Sequence, residues 1–232
     1  GYLLNGSKVH VLDGHVAEQF IVAARTAGAN SDEHGISLFL VNRDRPGVSV
    51  ERRAMVDSRN MAAVRLQDVV VSAADLLGEL HNGYPLLCRV LDRGNIALAA
   101  EMLGSLQAAF ERTLDYLKQR KQFGEFIGSF QALQHRAAKM FCEIELSKSV
   151  VLKALQAIDE DADNLSLMAS LAKAQVAETF RLVSDEAIQM FGGIGMTDDE
   201  DIGFYLKRAR VAQQTLGDEH YHVQRYATLR GY

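Results

Sequence analysis

The sequence predicts an α+β protein: a partial antiparallel β-sheet or barrel over residues 1–82, then an antiparallel four-helix bundle over residues 83–232. Three observations carry this. Residues 1–82 consist of short runs rich in Val, Ile, Leu and Phe, separated by Gly, Asn, Asp and Ser clusters. No proline follows Pro85, and a helix interior tolerates proline only at a cost of about 3 kcal/mol. That proline-free tract is also dense in Ala, Leu, Gln, Glu, Lys and Arg, which helices accept readily.

Five strands are expected, at Leu3–Leu12, Gln19–Thr26, Ile36–Val41, Val48–Arg52 and Ala63–Val71. Asp13-Gly14 and the Gly28–Gly35 stretch supply turns between them. The first strand begins at the start of the chain, so an incomplete sheet with an uncovered edge is expected. Four helices follow, at about 84–119, 130–159, 165–191 and 198–229. Pro85 suits a first helical turn. Ser129 is placed to cap the second helix and Asn164 or Ser166 the third, while Thr197-Asp198-Asp199-Glu200 fits a capping box for the fourth. In the second helix Leu133, Ala137, Met140, Ile144, Val151, Leu155 and Ile158 form one apolar stripe. Asp159–Asp163 reads as a solvated acidic turn.

The bulk numbers narrow the function. With 48% hydrophobic and 24% charged residues the chain has the composition of an ordinary globular protein. A net charge of −5 opposes nucleic-acid binding, which wants a basic footprint. No apolar run approaches the roughly 20 residues of a membrane span. The sequence does not open on a charged-then-apolar leader, and Cys88 and Cys142 share no metal or redox spacing, so free thiols in the cytoplasm are expected. The opening GYLLNGSKVHVL reads as the middle of a domain, so the chain is expected to be a fragment or a processed protein.

Two stretches of the helical half carry chemistry. In Arg120-Lys121-Gln122-Phe123-Gly124, a plain helix end explains Arg120 and Gly124, the latter as the residue after the helix. It leaves the phenylalanines and glutamines unexplained. A guanidinium at a helix end can also clamp a diphosphate, and Gln can bind ribose or phosphate oxygens. The second stretch, Gln189-Met190-Phe191-Gly192-Gly193-Ile194-Gly195-Met196, reads as a glycine helix stop whose backbone a ligand can approach closely. It is no GxGxxG fingerprint, since no strand precedes it.

RKQFGEFIGSFQALQH and IQMFGGIGM together resemble the acyl-CoA dehydrogenase family, as do LQDVVV leading to LLGE and the stretch from Leu206 to Arg225. The resemblance covers essentially the whole chain. It implies the later part of a β-domain followed by a four-helix bundle, with the family's N-terminal helical domain missing. It also implies FAD at a subunit interface of a dimer or tetramer, homomeric or heteromeric, an acyl-CoA substrate, and an electron-transfer flavoprotein as acceptor. Arg120 and Gln122 would then contact the FAD diphosphate of a neighbouring subunit, with Phe123 packed beside it. Phe130 and Gln131 fall at further FAD contacts, and Gln189, Gly192 and Gly193 would line its adenosine end. Asp92 and Gly217 match positions that meet the acyl-CoA. Where the family has Trp-Ile-Thr-Asn over the flavin ring, this chain has His10-Val11-Leu12-Asp13.

The resemblance implies removal of the thioester α-proton by a glutamate. Its two family positions are Leu216 and Gly94 here, and neither can act as a base. Three alternatives stay open. Anchoring on Gln224-Arg225 moves Asp218, beside Glu219, onto the glutamate position. Glu101 lies on the Gly94 face, roughly 10 Å along the helix at 1.5 Å per residue. Or the chain is a base-free partner subunit of a heteromeric dehydrogenase. A di-iron reading of Glu219-x-x-His222 fails for want of a second such motif, so no metal is expected. Lys207, Arg208 and Arg210 read first as a solvated helix face, the alternative being a site for a phosphate of CoA or of a partner's cofactor.

Overall fold

The computed structural model describes all 232 residues, which divide into two compact units, Gly1–Val90 and Leu91–Tyr232. In the first, β1 (Tyr2–Leu12), β5 (Met61–Val71) and β4 (Val48–Arg53) form one antiparallel sheet in the order β1-β5-β4. A second sheet runs β2 (Gln19–Arg25), β3 (Ile36–Asn42) and β6 (Leu76–Leu77). The pleat sends alternate side chains inward, so Phe20 and Val22 of β2 meet Leu4, Val64, Leu66 and Val69 of the other sheet in one core. β1 is an edge strand, as expected, with Leu3 and Val9 exposed.

β1 pairs β5 with two register shifts, one between Leu4 and Gly6, the other between Lys8 and Val11. At the first, Asn5 closes the gap: its Nδ2 donates to Asp68 Oδ1 (3.0 Å) and its Oδ1 accepts from the Asp68 amide (2.8 Å). The second holds His10 at φ 54, an unusual backbone for a non-glycine residue that re-aims the strand locally.

The second unit is helical. α1 (Tyr84–Gln119) starts in the first unit and ends against a two-residue hairpin of β7 (Lys121–Gln122) and β8 (Glu125–Phe126). α2 (Gln131–Asp159), α3 (Leu165–Phe191), α4 (Ile202–Gln214) and α5 (Glu219–Arg230) complete it. α3 is the central helix, packed against α2, α4 and α5. Its Ala169, Ala172, Val176, Phe180, Val183 and Ala187 are fully buried, the three- and four-residue spacing of a core stripe. The α+β class and the four-helix ground plan are therefore as the sequence implies.

Five local expectations need correction. The fourth helix is broken in two, because Leu216 (φ 59) and Gly217 (φ 105) turn left-handed between α4 and α5. Ser129 does not cap α2: its hydroxyl donates to the Phe126 carbonyl, and Phe130 occupies the cap position without a side-chain bond. Thr197 forms no capping box, since its hydroxyl serves Ile194 and Asp199 and α4 starts after Asp201. Gly124 is no helix stop but, with Phe123, the tip of the β7–β8 hairpin, at φ 85 and 55. The α2 stripe runs through Ser147, Val151, Ala154 and Ala157, and Leu155, one position off that line, stays partly exposed.

Candidate functional site

The β7–β8 hairpin stands beside the end of α3, and between them lies a groove of about 470 Å³, the size class of small-molecule sites. Arg120, Gln122, Phe123 and Phe130 line one side, and Gln189, Gly192 and Gly193 the other. These are seven of the eight residues the sequence assigned to a cofactor. The eighth, Gln131, is exposed at the start of α2 and is not part of the lining.

The lining is set up to receive something. The Arg120 guanidinium and the Gln122 and Gln189 amides make no side-chain hydrogen bond within the chain, so their donors are uncommitted. Phe123 is 90% exposed at the hairpin tip and meets Phe130 edge-on, ring centroids 6.2 Å apart. A Cβ built on Gly192 or Gly193 meets nothing within 4 Å, so the peptide groups there face open space. Gly192 also ends α3 at φ 69, which only glycine adopts without strain. A guanidinium, two amides, two rings and bare backbone suit a nucleotide diphosphate with its sugar and base.

The floor was not foreseen. Tyr116 stacks on Phe191 at 4.1 Å and donates its hydroxyl to the Phe191 carbonyl (3.3 Å). Arg136 is held by Glu186 at 2.5 Å. Both residues line the groove. Tyr116 lies one helical turn before Arg120, a spacing that would have flagged it.

A second cluster surrounds the break between α4 and α5. A Cβ built on Gly94 in α1 would lie 3.3 Å from Leu216 Cδ1, so the two positions the resemblance assigns to a glutamate touch each other. Neither rescuing carboxylate is idle. Asp218 caps α5, accepting the Tyr221 amide at 2.8 Å, and Glu101 is ion-paired with Arg208 at 2.8 Å. Gly217 cannot be replaced, because a Cβ there would sit 2.5 Å from the Tyr221 ring and 2.9 Å from His222 Nε2. Asp92 is also consumed internally: Arg225 grips both its oxygens (2.5 and 3.0 Å) and Ser166 donates to one (2.6 Å). Of the basic cluster, Arg208 and Arg210 have carboxylate partners and Lys207 lies over the Phe204 ring.

Two buried nitrogen groups hold this break. His222 is fully buried and its Nε2 donates to the Leu216 carbonyl at 3.1 Å. That bond engages the Nε2 of the histidine in Glu219-x-x-His222. Burial depresses the His222 pKa to about 4, although the Leu216 carbonyl opposes the shift. Lys173, also fully buried, is depressed to about 8 by the same loss of water. Strongly shifted groups concentrate at functional sites. The sequence signal was a lone lysine within the apolar run LMASLAKAQVA.

The His222 shift predicts a pH effect. The unfolded chain takes this proton near the ordinary pKa of 6.5, whereas the folded chain refuses it until about 4. Stability from the neutral ring is therefore complete above pH 6.5, drains as the pH falls from 6.5 to about 4, and is lost below that. His222→Gln is expected to remove about 2 kcal/mol of the stability difference between pH 7 and pH 4.5. Urea unfolding of both proteins at the two pH values measures it, and an unchanged difference would assign the acid sensitivity elsewhere.

Two family models together match nearly the whole chain. Residues 81–228 match the acyl-CoA dehydrogenase C-terminal domain and residues 1–69 the acyl-CoA dehydrogenase middle domain. A probable acyl-CoA dehydrogenase of Bacillus subtilis is 34% identical over 232 residues, covering 99% of this chain and 60% of that protein. The mitochondrial short/branched chain specific acyl-CoA dehydrogenase of Bos taurus is 31% identical, over 90% of this chain and 49% of its own length. Butyryl-CoA dehydrogenase from Megasphaera elsdenii superposes with a TM-score of 0.92 at 29% identity, over 99% of this chain and 60% of that one. A structure described as the electron transferring flavoprotein of Acidaminococcus fermentans gives 0.93 at 29%, over 99% and 61%. The chain thus spans about half to three fifths of the curated relatives it matches.

Proposed function

The chain belongs to the acyl-CoA dehydrogenase family, and from that premise we propose that it serves the FAD-linked α,β-dehydrogenation of an acyl-CoA thioester. The groove supports this reading best: an uncommitted Arg120 and Gln122 beside the open Gly192-Gly193 backbone suit the adenosine diphosphate end of FAD. FAD held there would supply the hydride-accepting redox chemistry of the dehydrogenation, and the protein would have to supply a base for the α-proton. In this proposal Arg120 and Gln122 hold the diphosphate, Gln189, Gly192 and Gly193 line the adenosine end, and Phe123 and Phe130 exclude water. Gln131 would join from the rim. A dimer or tetramer, of one chain or two kinds, would cover Phe123. An electron-transfer flavoprotein is the proposed acceptor, in keeping with the Acidaminococcus likeness.

A second reading is favoured by one observation. The two glutamate positions hold a glycine and a leucine in mutual contact, and Asp218 and Glu101 are engaged elsewhere. The chain would then be a base-free partner subunit that shares FAD without catalysing alone. The visible spectrum of the full-length protein, with and without acyl-CoA, separates the two. Yellow that bleaches marks a dehydrogenase, yellow that persists marks the partner subunit, and a colourless protein after FAD is supplied sinks both.

Arg120→Ala tests the groove itself. Losing a charge-assisted contact to a diphosphate is expected to weaken FAD retention by about tenfold or more, from about 1.5–3 kcal/mol. Flavin-to-protein absorbance ratio after gel filtration measures it. Equal occupancy in variant and parent would remove Arg120 from the site.

A further inference from the structure

We infer that Lys173 is a positioning residue, a buried ammonium that fixes the left-handed turn at Leu216–Gly217 by holding the carbonyls on either side of it. Its Nζ donates to the Gln213 carbonyl (3.1 Å) and the Gly217 carbonyl (2.8 Å). Gln213 lies in the last turn of α4, where carbonyls lack helical partners and a cation is favoured by the helix dipole. From the other side His222 takes the Leu216 carbonyl at 3.1 Å. The connection between α4 and α5 therefore has three of its carbonyls satisfied by buried nitrogen donors from α3 and α5.

Such an arrangement has a cost. No ion pair joins Lys173 to a carboxylate, and Asp218 only eases its charge from a distance. Tyr221, His222 and Arg225 on α5, Glu219 at its start and Asp92 on α1 are further charged or titratable groups around the break. A methionine would fill the same volume without burying a charge. What the ammonium does that methionine cannot is donate to two carbonyls. The residue between them needs that help, since Leu216 sits at φ 59, a backbone that side chains other than glycine occupy only when their surroundings enforce it. The enforced turn sets where the Leu216 side chain lies against Gly94. The value of that placement rests on the acyl-CoA reading above, but the turn can be tested without it.

The test is a double-mutant comparison in the full-length protein, read by amide hydrogen exchange corrected for intrinsic rates. Lys173→Met is expected to speed exchange at residues 215–218 at least tenfold, with α2 and the centre of α3 unchanged. Leu216→Gly removes the penalty for the left-handed backbone, so in that background Lys173→Met is expected to change exchange less than threefold. If Lys173→Met alone does not fold, folding of the double variant supports the inference and its failure overturns it. Unchanged exchange in Lys173→Met, or an equal change in both backgrounds, also overturns it. Neither FAD nor acyl-CoA enters the measurement, so its failure is distinguishable from failure of the dehydrogenase proposal.

Discussion

Leu216→Glu in the full-length protein is expected to raise the rate of flavin bleaching by acyl-CoA by about 10²–10⁴-fold, the usual worth of a positioned general base. The expectation comes from geometry as much as from family likeness. Gly94 on α1 and Leu216 on the α4–α5 turn lie against each other, so a carboxylate from either would reach the same volume. The turn already holds residue 216 at φ 59, so glutamate inherits the backbone strain that leucine bears. Surroundings built for leucine would raise the carboxyl pKa towards neutrality, where a base works best. Gly94→Glu should gain less, because its Cβ would arrive 3.3 Å from Leu216 Cδ1 and the leucine must yield. Stopped-flow absorbance of the flavin band, for parent and both variants, decides the matter. A silent Leu216→Glu that still binds FAD would show that the base is not the only part lacking, and attention would move to His10 and Leu12, which stand where the resemblance puts Trp and Thr.

How far this was legible in the sequence follows from what makes a residue legible. α1 and α3 are legible because the tract after Pro85 has no proline and is rich in helix formers, and their bounds fall where expected. The groove was readable because Arg120, Gln122 and Gln189 are more polar than a helix end needs, and glycine at 192 has one obvious structural meaning. The break in the fourth helix was not readable, because nothing in a leucine signals a left-handed backbone. That conformation is imposed from outside, by Lys173 on α3 and His222 on α5. The caps failed for a related reason. Ser129 and Thr197 have the right chemistry, but nearby carbonyls compete for their hydroxyls. Gly124 misled because a hairpin tip and a helix stop both favour a positive φ.

Asp92→Ala is expected to destabilise the helical unit by about 3–5 kcal/mol, since breaking a buried ion pair strands the remaining charge. The Asp92 side chain is 3% exposed, and its two oxygens accept three bonds, two from Arg225 and one from Ser166. Without it the Arg225 guanidinium would still meet the Ser170 hydroxyl (3.0 Å) and, at 3.5 Å, the Ser166 carbonyl, but would lose both carboxylate bonds. The pair ties α1 to α5 across the start of α3, so its loss is felt by three helices. Thermal unfolding should fall by about 10 °C, at roughly 2–4 °C per kcal/mol for a unit of this size. Arg225→Met added to Asp92→Leu should restore part of that loss, because neither charge is then buried alone. The same experiment weighs the resemblance, which places Asp92 where the family meets acyl-CoA. A ligand contact would leave the melting temperature of the free protein near that of the parent and weaken only acyl-CoA binding. A carboxylate whose oxygens are spent on Arg225 and Ser166 predicts the reverse, a large fall in melting temperature before any substrate is added.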